Sequence, residues 1–280
     1  MAKSFSMKKI IAPVDFSATA ENSAIFAARL AAFYGAELWL YHSYEIMIPV
    51  SGFDFPFVTA VEMQDAAEHE LIELQKKIES VMGYSIKIHT RATESALAEG
   101  LSALCDELVP DMVVMGLSGK NALTRLIVGS NTIKTIQQLN YPVLVVPPKA
   151  SFIPVRKIGF ACDYEKVIAT TPVEPLKKLV RDFNADLFVL NIVYDPSAVT
   201  DQTIRETLYI TELLKEFKPS YHTILSADIT EGINWFAETQ HIDWMVVIPK
   251  KHNLTEKLFS RSKTRDLLYH THMPVLCMHE

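Results

Sequence analysis

The chain has 280 residues, 49% hydrophobic and 21% charged, which excludes a disordered polypeptide and allows two domains of ordinary size with a core each. The formal net charge of -6 argues against general nucleic-acid binding, which needs a basic face, yet is compatible with a small anion held by backbone N–H groups. Three widely spaced cysteines, Cys105, Cys162 and Cys277, contain no CxxC pair, so neither a disulfide framework nor a zinc ribbon is indicated.

In chain order, residues 10–14 read as a short apolar strand. Residues 17–34 read as a helix, with Ser17 as N-cap, Glu21 just beyond it and Gly35 as the stop. Residues 37–42 form a second strand, and 58–82 a long amphipathic helix stopped by Gly83. Residues 85–91 alternate as a strand does, 94–108 read as a helix, 111–115 as a buried strand, 123–139 as a helix and 143–146 as a closing strand. Alternating β and α elements imply an open parallel sheet covered by helices on both faces, with right-handed crossovers.

The pattern then starts again. Lys8-Lys9-Ile10-Ile11-Ala12-Pro13-Val14-Asp15-Phe16 is echoed by Arg156-Lys157-Ile158-Gly159-Phe160-Ala161-Cys162-Asp163-Tyr164: a basic-led apolar strand ending in an aspartate and an aromatic. Tyr141-Pro142-Val143-Leu144 is echoed by Met273-Pro274-Val275-Leu276, each preceded by another apolar strand. A duplication accounts for the shared order of landmarks. The linker is the proline-stiffened Pro147-Pro148-Lys149-Ala150-Ser151. The expected domains are therefore 1–149 and 150–280, two tandem five-stranded α/β units, the second with shorter helices.

The chemistry concentrates after the strand at 111–115. Gly116 and Gly119 allow a sharp turn and a close backbone approach, and Gly129-Ser130-Asn131 opens a helix whose N-terminus attracts anions. In an open parallel sheet this loop and Asp15 both fall at the carboxyl ends of strands, where ligands bind. The P-loop and the Rossmann fingerprint are both missing.

The spacing Gly-x2-Gly-x9-Gly-Ser, with Pro13-Val14-Asp15 before it and Pro142-Val143-Leu144-Val145-Val146 after it, resembles the ATP-binding signature of the universal stress protein family. The resemblance implies an adenine-nucleotide-hydrolase-like, Rossmann-like fold and an ATP site, with or without Mg2+. It places Pro13, Val14 and Asp15 at the nucleoside, Asp15 accepting from ribose or adenine. Ser43 would offer backbone atoms to adenine, and Met115 would pack near the base. Gly116, Gly119, Gly129, Ser130 and Asn131 would surround ribose and phosphates. The plainer readings are a helix-capping aspartate near Ser17 for Asp15 and simple core for Met115. Lys120 and Arg125 are read first as solvated surface.

Aligned without gaps from the closing strands, Gly116 corresponds to Ile248, Gly119 to Lys251 and Gly129 to Arg261. The second copy has thus lost the signature, although Asp163 matches Asp15, and it reads as a structural partner. Tandem members of the family resemble a fused dimer, which implies that the two closing strands pair along their edges and cover them. His270, His272 and His279 suggest a metal only weakly, and residues 46–56 form an aromatic loop near the adenine end.

The N-terminal apolar stretch meets Pro13 too early for a signal-peptide core, and no apolar run nears the roughly 20 residues of a membrane span, so a cytoplasmic location is expected. The leading expectation is a nucleotide-responsive regulator with an adenine nucleotide and an unidentified protein as partners, with homodimerisation left open. A weak ATPase or self-phosphorylating protein and a nucleotide-free scaffold are the alternatives.

Overall fold

The computed structural model describes residues 7–46, 59–117, 130–164, 167–194, 200–249, 264, 266–268 and 271–279. They fall into two compact units, one running to Tyr141 and one from Pro142 onward.

The first unit contains β1 (Lys9–Pro13), α1 (Ala18–Tyr34), β2 (Glu37–Tyr44), α2 (Ala60–Met82), β3 (Ile88–Glu94), α3 (Leu97–Leu108), β4 (Met112–Gly116) and α4 (Ser130–Gln138). The strands lie in the order β3-β2-β1-β4, every pairing parallel. Ile10, Ile11 and Ala12 of β1 are fully buried, as a central strand covered on both faces requires.

The helices begin and end where local chemistry dictates. The Ser17 hydroxyl accepts the Ala20 N–H at 3.2 Å, and α1 stops at Gly35, whose φ of 66° suits a residue without Cβ. Thr59 and Glu62 form a reciprocal capping box at the start of α2, which ends at Gly83 with φ 69°. Along α2 the buried residues Ala67, Leu71, Leu74, Ile78 and Met82 recur every three or four positions, so one stripe faces the sheet.

The second unit contains β5 (Val143–Val146), β6 (Lys157–Ala161), α5 (Val167–Thr170), α6 (Val173–Phe183), β7 (Asp186–Val193), α7 (Asp201–Leu214), β8 (Ser220–Leu225), α8 (Ile229–Gln240), β9 (Trp244–Val247) and β10 (Val275–Cys277). Its strand order is β5-β10-β9-β6-β7-β8. The pairings are parallel except β5 with β10, which run antiparallel with Val145 opposite Val275. The closing strands of the two repeats therefore pair, as the fused-dimer resemblance implies, and all seven of their residues are fully buried.

The duplication reaches individual hydrogen bonds. The Asp111 Oδ2 accepts the backbone N–H groups of Lys8 and Lys9 at 2.7 and 3.1 Å, and the Asp243 Oδ2 accepts those of Arg156 and Lys157 at 2.8 and 2.9 Å. The Lys9 ammonium donates to the Leu108 carbonyl at 3.0 Å, and that of Lys157 to Gln240 at 2.8 Å. Phe16 and Tyr164, each following the strand-end aspartate, both take left-handed backbone, with φ 60° and 54°.

Several boundaries move by one or two residues, and two elements start three residues later than the sequence expectation. β3 begins at Ile88 rather than at 85, and α3 begins at Leu97 rather than at 94. The cause is strand pairing: Glu94 is still opposite Tyr44, and the Ser95 N–H donates to the Tyr44 carbonyl at 3.0 Å, so the chain stays extended three residues longer.

Candidate functional site

From β1 the first unit winds outward to β2 and β3, then returns to place β4 on the other flank of β1. The reversal creates a crevice at the carboxyl ends of β1 and β4, the position where open α/β sheets bind ligands. Pro13 ends β1 and Gly116 ends β4, so these two residues stand on either side of it.

At the β1 lip the chain turns sharply. Val14 is buried, and its N–H still joins the ladder, donating to the Tyr41 carbonyl at 2.8 Å. The Asp15 Oδ1 accepts the Ser17 N–H at 3.0 Å, a two-residue turn that sets the carboxylate's direction before Ser17 caps α1. The cap of α1 is therefore Ser17 and not Asp15, whose carboxylate makes the preceding turn instead. Phe16 contributes the left-handed residue that the turn needs, and its ring lies 4.5 Å from that of His42.

At β2, Ser43 is half-buried and opposite Thr93 of β3. At the β4 lip, Met115 is 5% exposed and belongs to the core. Gly116 is half-buried and close against α1: a Cβ there would stand 2.9 Å from the Thr19 methyl and 3.1 Å from the Thr19 carbonyl oxygen. Its carbonyl accepts the Thr132 hydroxyl at 3.1 Å, which ties the first turn of α4 to the end of β4. The bare backbone at 116 therefore answers first to packing against α1, a requirement that sequence spacing does not reveal. Thr19, His42 and Thr132 are site neighbours that the sequence reading missed.

Gly119, Gly129, Ser118, Lys120 and Arg125 lie outside the described residues. Ser130 and Asn131 open α4. Beside Phe16, α1 and α2 flank an open groove of about 450 Å³. Its Glu21 and Lys77 are already paired, at 2.7 Å.

Ile248, aligned with Gly116, is 6% exposed, and so is Tyr164, whose hydroxyl pKa is pushed up chiefly by burial. Lys250, Lys251, His252 and Arg261 lie outside the described residues, as does His270. Among the described residues no group of three His, Cys, Asp or Glu side chains is placed to hold a metal. No described helix is long and apolar enough to cross a membrane.

Comparison with known proteins follows the same outline. A sequence model of the universal stress protein family matches residues 7–147. A universal stress protein of Methanocaldococcus jannaschii is 27% identical over 143 residues, covering 50% of this chain and 81% of that protein. The crystal structure of a universal stress protein from Archaeoglobus fulgidus superposes with a TM-score of 0.69 at 14% identity, over 99% of this chain and 97% of that one. A Pseudomonas aeruginosa protein of unknown function superposes with a TM-score of 0.62 at 16% identity, over 98% and 92%. Two solved chains of nearly full coverage thus share the tandem architecture.

Proposed function

The chain belongs to the universal stress protein family, and from that membership we propose that residues 1–149 form an ATP-binding domain and residues 150–280 a companion domain without a nucleotide site. The reading is carried by the Asp15 carboxylate, oriented by the Ser17 N–H at the end of β1, across the crevice from the side-chain-free end of β4 at Gly116.

A nucleoside suits this crevice on chemical grounds. A fixed carboxylate accepts from ribose hydroxyls or an adenine amine, and backbone groups at Ser43 offer a donor and an acceptor to a base edge. Pro13, Val14 and Met115 supply apolar wall. Gly116, Gly119, Gly129, Ser130 and Asn131 would cradle ribose and phosphates, the last three at the start of α4, where free N–H groups favour an anion. The ligand is ATP, alone or as its magnesium salt. In the companion domain the buried Ile248 fills the position of Gly116.

Binding would order the segment from Gly116 to Gly129 and so alter a surface that a protein partner reads. The family and the lack of a spanning helix among the described residues are consistent with a cytoplasmic setting. Mass spectrometry of nucleotide released from the purified chain tests the reading. Adenine nucleotide released from the wild type and lost in Asp15→Ala supports it; equal nucleotide in both removes Asp15 from the site.

A further inference from the structure

The strand end that carries Asp15 is held by a side chain rather than by the sheet. Pro13 pairs with Tyr41, so Val14 stands opposite His42. The Val14 N–H makes the last ladder bond, to Tyr41, at 2.8 Å. A continued parallel ladder would bring the Ser43 N–H to the Val14 carbonyl. Here the His42 imidazole bonds that carbonyl, Nδ1 to oxygen at 2.7 Å. Because a carbonyl only accepts, Nδ1 carries the hydrogen.

The second unit repeats the device with a different residue. Ala161 pairs with Leu190, so Cys162 stands opposite Asn191. The Cys162 N–H donates to Leu190 at 2.8 Å, and the Asn191 side-chain amide donates to the Cys162 carbonyl, also at 2.8 Å. Imidazole and carboxamide share a short-reach N–H donor. Both repeats place one at the same register position, opposite the residue that precedes the strand-end aspartate.

We propose that His42 is the positioning residue of the nucleotide crevice: by taking the Val14 carbonyl it lets β1 leave the ladder one residue early, fixes the Asp15 turn, and turns the main-chain edge of Ser43 toward the base. The inference rests on the ATP reading for its binding consequence and on geometry alone for the turn. His42 acts through Asp15 and Ser43; contact with the nucleotide is not required of it. The Phe16 ring at 4.5 Å packs the imidazole from the turn side.

The intact chain and its His42→Asn, His42→Ala, Asp15→Ala and His42→Ala/Asp15→Ala forms, titrated with ATP, decide the point. His42→Ala should weaken ATP about tenfold, a hydrogen bond's worth. His42→Asn, which copies the companion domain, should stay within about threefold of wild type. The double variant should lose less than the sum of the two single losses, because part of the His42 effect runs through Asp15. Additive losses, or an asparagine variant as weak as the alanine one, overturn the proposal. Amide exchange over residues 14–19 without ligand gives a separate answer: faster in His42→Ala and near wild type in His42→Asn. Equal exchange in all forms overturns the positioning role, whereas a wild type that takes no ATP overturns only the nucleotide reading.

Discussion

Gly116 at the end of β4 rests on Thr19 in the first turn of α1, so closely that a Cβ would stand 2.9 Å from the threonine methyl and 3.1 Å from its carbonyl oxygen. Of the two, the methyl can rotate away and the carbonyl cannot. Gly116→Ala is therefore expected to cost about 1–3 kcal/mol in urea unfolding, as overpacking does. Adding Thr19→Ser, which removes the methyl, should return part of that loss. Unchanged stability in Gly116→Ala would show that the contact yields without cost.

Asp111 and Asp243 perform the same task in the two units, each bonding two consecutive N–H groups at the start of a central strand. Replacement by alanine leaves those donors to water or to nothing. Each variant should lose about 1.5–3 kcal/mol, the range for hydrogen bonds to a charged acceptor. Comparable losses at the two sites, measured by denaturant titration, are the outcome expected of a duplicated device; a loss at one site only would contradict the equivalence.

The cysteines should be chemically quiet. Burial pushes the thiols of Cys105 and Cys277 up to about 12, and Cys162 is 6% exposed. Only a thiolate attacks, so at pH 8 each of the first two presents about one reactive form in ten thousand. Titration with a disulfide reagent should find almost no fast thiol in the native chain and three after unfolding in urea. One rapid equivalent in the native state would contradict the burial.

What the sequence discloses is what is written locally. Ser17, Gly35 and Gly83 announce helix ends because caps are settled within a few residues, and all three stand where spacing puts them. The duplication is legible because Asp15 and Asp163 close similar strands. The beginnings of β3 and α3 are not, since the alternation around 85–91 fits more than one phase and pairing to β2 decides between them. His42 and Asn191 escape because their partners lie 28 and 29 residues away and the two side chains look unrelated. Gly116 is conspicuous in sequence as room for a ligand, yet its tightest neighbour is Thr19, which no pattern of glycines discloses.

Isothermal titration of the intact chain with ATP bears most directly on the proposed site. One ATP per chain is expected, with the heat abolished or much reduced in Asp15→Ala and with amide protection gained around Gly116. No heat in the wild type, or two equivalent sites per chain, would contradict an ATP site confined to the first repeat.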